Sequence, residues 1–141
     1  MIGDSKDEKS GWVLIVEDDE DCSDALSEIL VKEGYQVISA KTPQDARAKL
    51  FRQTFKGVLL DLKLGQQNGE QVVSYMRTLR GVNDLTPVLV VSGTVDGPSI
   101  DRLRPMVQGF LVKPYSSDQF IKRFKAALQT QVTIQKKTVI P

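Results

Sequence analysis

The sequence predicts an α/β fold built on a doubly wound parallel sheet. Two observations carry this. Short aliphatic runs of strand length alternate with segments of helical periodicity. Several of those runs also end in a chemically useful polar residue. Val13-Leu14-Ile15-Val16 precedes Glu17-Asp18-Asp19, and Val58-Leu59-Leu60 precedes Asp61. Val88-Leu89-Val90-Val91 precedes Ser92, and Phe110-Leu111-Val112 precedes Lys113. In an open parallel sheet, the carboxyl ends of the strands form the ligand-binding edge. Carboxylates, a hydroxyl and an ammonium converging there suit a divalent cation and a phosphoryl group.

Strand one covers 13–16. A helix over Asp21–Lys32 follows, with Ala25, Leu26, Ile29 and Leu30 on one face and Gly34 beyond its end. Tyr35–Ala40 is strand two. Thr42 is a helix N-cap and Pro43 a first helical residue. Ala46, Lys49 and Leu50 continue that helix to about Arg52. Strand three is 57–60. Gly65-Gln66-Gln67-Asn68-Gly69 reads as a loop, and helix three over Glu70–Leu79 buries Val72, Val73, Met76 and Leu79. Strands four and five are 88–91 and 109–112. The helix between them spans at most about Ser99–Arg104, because Pro98 suits its start and Pro105 its end. The last helix begins near Ser117-Asp118 and presents Phe120, Ile121, Phe124, Ala127 and Leu128. Residues 1–11 read as a flexible N-terminal segment, 12–129 as the domain, and 130–141 as a tail or truncated linker.

A length of 141 residues fits one domain. A net charge of +1 creates no global field towards nucleic acid or an anionic membrane. The longest aliphatic runs are four residues, far short of a membrane span, and the polar N-terminus lacks an apolar signal region. These features point to the cytoplasm. Cys22 has no second cysteine to pair with, and reads as a small buried thiol. Histidine is absent. That excludes a histidine triad, an imidazole base and a phosphohistidine donor within this chain.

The stretches VLIVEDD (Val13–Asp19), VLLDLKL (Val58–Leu64), VLVVSG (Val88–Gly93) and FLVKPY (Phe110–Tyr115) together resemble the receiver domain of two-component response regulators. The resemblance covers roughly 12–129. It implies a flavodoxin-like, five-stranded sheet of order 2-1-3-4-5, with helices on both faces and a shortened fourth helix. It makes Asp61 the phosphoacceptor of a two-component phosphorelay. Asp18 and Asp61 become direct Mg²⁺ ligands, Lys63 a ligand through its backbone carbonyl, and Glu17 a ligand through water. A carboxylate oxygen can attack phosphorus, and phosphoryl transfer asks mainly for positioning and charge stabilisation. Lys113 would supply an ammonium and Ser92 a switch hydroxyl, with a cis Lys113–Pro114 bond aiming the lysine inward. Phe110 occupies the aromatic switch position, or is a permanent core residue. Crowded carboxylates should raise at least one pKa in the metal-free fold.

The implied partner is a histidine kinase or histidine phosphotransfer protein in trans. A homodimer through the helix 4–strand 5–helix 5 face is allowed, and no nucleic-acid or membrane contact is expected. The chain departs from the family in two places. Gly65 replaces a proline, which should loosen the loop after Asp61, and the 94–108 stretch lacks a full fourth helix. Two other readings compete. An aspartate-nucleophile phosphohydrolase needs a second Asp where Lys63 stands. A degenerate receiver kept as a dimerisation module would not need Glu17, Asp18, Asp61, Ser92 and Lys113 together.

Overall fold

The computed structural model describes residues 11–79 and 81–139. The expectation for the N-terminal segment lies, Gly11 apart, outside the described residues. Five parallel strands form the sheet: β1 (Trp12–Val16), β2 (Gln36–Ala40), β3 (Gly57–Leu60), β4 (Val88–Ser92) and β5 (Gly109–Val112). Their order is β2-β1-β3-β4-β5, as predicted. The helices are α1 (Glu20–Lys32), α2 (Pro43–Arg52), α3 (Glu70–Thr78), α4 (Gly97–Leu103) and α5 (Ser117–Val139). Among the described residues, no helix is long and apolar enough to cross a membrane.

Both faces of the sheet are covered, which is why its inner strands are continuously apolar. Leu14, Val16, Val58, Leu60, Val88 and Val90 pack with Leu50, Val72, Val73, Met76 and Leu103 of α2, α3 and α4. On the opposite face, Val13, Ile15, Leu59, Leu89, Val91 and Leu111 pack with Leu26 and Leu30 of α1 and Phe120, Phe124 and Ala127 of α5. Thr42 caps α2, its hydroxyl accepting from Asp45 N at 3.1 Å. Asp96 caps α4, its carboxylate accepting from Ser99 N at 2.8 Å. α4 stops short of Pro105, as expected, but starts at Gly97, ahead of the expected Ser99, because Asp96 caps it.

Several local expectations are corrected. Ala25 is exposed, and Ser23 is buried in its place on α1. Leu79 lies past the end of α3 and is 46% exposed. The loop after Asp61 contains a short antiparallel hairpin, Lys63–Leu64 against Gln67–Asn68. The backbone of α5 continues through 130 to Val139, so most of the segment read as a tail is helical.

Candidate functional site

Parallel register brings the polar strand ends together. Val16 pairs with Leu60, Leu60 with Val90, and Ser92 with Val112. The residues at or just beyond these positions therefore share one edge of the sheet. Asp61 N donates to Val16 O at 3.0 Å, and Lys113 N to Ser92 O at 3.0 Å, which carries the ladder into the site.

Asp61 is 8% exposed and Ser92 is fully buried. Asp61 Oδ1 accepts from Ser92 Oγ at 2.8 Å and from Lys63 N at 3.2 Å. Its Oδ2 accepts from the Lys113 ammonium at 3.0 Å. The same ammonium donates to Glu17 Oε1 at 2.6 Å. Glu17 is 3% exposed, and its other oxygen accepts from Asp19 N at 3.2 Å. The Lys113–Pro114 peptide bond is cis.

Asp18 is exposed, and its Oδ2 accepts from Gly65 N at 2.9 Å. Gly65 is expected from the sequence to loosen this loop; the structure gives its N–H a partner in Asp18. Gly65 has φ +63°, a left-handed conformation that glycine takes without strain. A proline there would have neither that φ nor an N–H to donate. The glycine instead ties the hairpin to Asp18.

Glu17, Asp18 and Asp61 each offer a carboxylate oxygen within 4.8 Å of the others. One ammonium, Lys113, bonds two of these three acids. The remaining negative charge and the oxygen-only donor set fit a hard divalent cation.

The electrostatics divide the acids. Burial pushes the Glu17 carboxyl up to about 7, against the opposing hydrogen bond from Lys113. Burial also acts on Asp61, but hydrogen bonds from Ser92, Lys113 and Lys63 N outweigh it and hold that carboxyl below its ordinary value. Burial alone would lower the Lys113 pKa, yet its bonds to Glu17 and Asp61 raise it. The ammonium is thus fixed as a charge.

Cys22 is half-buried rather than buried. Its thiol donates to Asp19 Oδ2 at 3.0 Å. That bond, with some burial, pushes the thiol up to about 11, so it stays protonated. Phe110 is half-buried against the core beneath α2, α3 and α4.

Sequence reasoning missed the residues that brace the site and, at its opposite end, the sheet. Gly69 packs against Asp61 so closely that an added Cβ would lie 2.2 Å from the Asp61 carbonyl oxygen. Arg77 donates to the carbonyls of Met106, Asp84 and Thr86 at 3.0, 2.9 and 2.8 Å and to Gln108 Oε1 at 3.1 Å. Arg102 of α4 grips Glu70 of α3 through both carboxylate oxygens, at 3.1 and 2.9 Å. Gly69 carried a sequence signal, but it read only as a turn former.

An acidic, lysine-completed pocket at the carboxyl edge of a 2-1-3-4-5 sheet is the arrangement of a CheY-like fold. Residues 13–125 match the family model of the response regulator receiver domain, and the chain belongs to that family. It is 34% identical over 125 residues to the alginate biosynthesis transcriptional regulatory protein AlgB of Pseudomonas aeruginosa, covering 89% of this chain and 27% of that protein. It is 34% identical over 120 residues to the sensory transduction protein RegX3 of Mycolicibacterium smegmatis, covering 83% of this chain and 50% of that one. The chain thus spans between about a quarter and a half of these relatives. A CheY-like receiver domain protein from Methanospirillum hungatei superposes with TM-score 0.77 at 27% identity, over 86% of this chain and 96% of that one. The receiver domain of a sensor histidine kinase from Pseudomonas aeruginosa, solved with magnesium in its active-site cleft, shares the fold with TM-score 0.75 at 18% identity, over 85% and 98% of the two chains. Receiver domains are signalling domains, and response regulators work with histidine kinases.

Proposed function

We propose that this domain is a phosphoacceptor switch in which Asp61 takes a phosphoryl group from a phosphohistidine of a kinase or phosphotransfer protein. The single observation that carries this is the set of donors on Asp61. A buried carboxylate is kept ionised, with Ser92 Oγ on one oxygen and the Lys113 ammonium on the other. An ionised carboxylate is a competent nucleophile. Its oxygen forms a bond to phosphorus while the phosphorus–nitrogen bond of the donor breaks, and the imidazole leaves with the electron pair. Lys113 and Ser92 then donate to phosphoryl oxygens.

Glu17, Asp18, Asp61 and the Lys63 carbonyl would hold Mg²⁺. A solved kinase receiver of the same fold holds magnesium in its active-site cleft, and Glu17, Asp18 and Asp61 bring carboxylate oxygens within 4.8 Å of one another here. The ion would supply charge neutralisation for the transferring phosphoryl group. The reading includes a cytoplasmic location, and a role in binding partners rather than in turnover of a substrate. Once Ser92 turns to phosphate, the change would pass through Gly93 and Thr94 to α4, β5 and α5, with Phe110 responding. That face would then bind an effector or a second copy.

Intact-mass measurement with acetyl phosphate and Mg²⁺ tests the reading. The wild type should gain one phosphate and the Asp61→Asn variant none. Labelling that survives in Asp61→Asn, or fails in wild type, overturns it.

A further inference from the structure

The large exposed apolar side chains among the described residues are Val31, Phe51, Leu79, Val82 and Val112. Phe51 and Leu79 are 85% and 46% exposed, and both border one groove. Phe51 and Leu79 line a groove between the last turn of α2 and the end of α3. Gly81 and Asn83 form its third wall. Single exposed apolar residues are normal, but two that border the same groove mark a candidate interaction site. Because α2 and α3 each lead into the amino end of a strand, the groove lies away from Asp61.

The Asn83–Asp84 wall is tied down by hydrogen bonds on both sides. Asn83 Nδ2 donates to Leu50 O and Gln53 O at 2.7 and 2.8 Å, and Phe55 N donates to Asn83 Oδ1 at 2.8 Å. Arg77 binds the Asp84 and Thr86 carbonyls from the other side. A preformed groove loses little ordering entropy on binding.

The rim is cationic. The Arg47 guanidinium lies 4.8 Å from the centroid of the Tyr75 ring. Arg52 is not in the groove itself but shares an adjoining hollow with Arg47 and Phe51; neither arginine makes a carboxylate contact among the described residues, whereas Lys49 on the same helix pairs with Asp45 at 3.0 Å. Asp84 is the one acid among the groove-lining residues, and it is half-buried.

We propose that this groove docks an acidic segment of a partner protein. The segment seats an apolar side chain between Phe51 and Leu79 and sets carboxylates against Arg47 and Arg52. An apolar pocket lined by aromatic residues and bordered by charge is typical of a binding anchor.

The test selects short random displayed peptides on the intact chain. Phe51→Ser and Arg47→Glu serve as separate controls, with circular dichroism showing that each is folded. The enriched peptides should combine Leu, Phe, Met or Trp with Asp or Glu. Each variant should weaken their binding about tenfold or more, and added salt should weaken it further. Basic or uncharged enriched peptides, binding indifferent to both variants, or no enrichment would overturn the proposal. So would self-association that Phe51→Ser abolishes, which assigns the groove to a second copy. Phe51-dependent binding to phosphatidylserine vesicles would assign it to a membrane, with the same effect.

Discussion

The Lys113 ammonium lies 2.6 Å from Glu17 Oε1, closer than its 3.0 Å to Asp61 Oδ2. Without metal, this lysine is the cation between two buried acids. Lys113→Ala leaves them facing each other, and uncompensated buried charge is costly. The variant should lose about 1–3 kcal/mol in EDTA, discounted for partial exposure of the site. Mg²⁺ should then raise its melting temperature more than it raises that of the wild type. Equal Mg²⁺ shifts in the two proteins would show that the acids are not balanced in this way.

Glu17 makes stability depend on pH. Its carboxyl is raised from the ordinary 4.5 to about 7 in the fold. The folded chain therefore holds a proton that the unfolded chain has released. This contribution is complete below pH 4.5 and is lost as pH rises through about 7. Asp61 runs the other way. Its lowered pKa gives stability above the ordinary carboxylate range that is lost in acid. In EDTA, the melting temperature should fall from about pH 5 to about pH 8, and Glu17→Gln should flatten that slope. Sequence crowding anticipated a raised carboxyl, but the larger cause is burial, with repulsion from Asp61 behind it.

Gly69 has an ordinary φ of −65°, so no backbone preference demands glycine there. Space does. A Cβ would meet the Asp61 carbonyl oxygen at 2.2 Å and Leu62 Cα at 3.1 Å, both backbone atoms that cannot swing aside. Gly69→Ala should cost about 1–3 kcal/mol or more in urea denaturation, and should displace the residue that carries the proposed nucleophile. A fully stable variant would mean that the loop relaxes freely.

Most of the sheet and the polar residues at its edge were legible because parallel strands buried on both faces leave continuous apolar runs. The polar residue ending each run then marks the functional edge. The bracing was not legible, because it depends on contacts between residues far apart in sequence. Nothing near Arg77 announces that its guanidinium collects carbonyls from 84, 86 and 106. Nothing near Asn83 announces that it ties the end of α2. Leu79 looked buried because its spacing fits the α3 stripe, but the helix ends at Thr78. Gly65 looked like a loosened proline position until Asp18 supplied a partner for its N–H.

The Arg102–Glu70 pair gives the last prediction. Glu70 opens α3 directly after Gly69, which abuts the Asp61 carbonyl. Arg102 reaches it from α4 through two hydrogen bonds, and Ser99 Oγ adds a longer contact at 3.4 Å. α4 has only seven residues, with Leu103 as its fully buried apolar side chain. A short helix with so little buried surface opens easily. Its C-terminal side is different, because Arg77 holds the Met106 carbonyl at 3.0 Å. Amides over 97–104 should therefore exchange faster than those of α3, with protection recovering near 107. Arg102→Ala should speed exchange over 97–104 several-fold with a small change in global stability, since Arg102 itself is more than half exposed. Hydrogen exchange by NMR resolves the two segments. Unchanged exchange over 97–104 in Arg102→Ala would show that Leu103 packing, rather than the ion pair, holds α4 against α3.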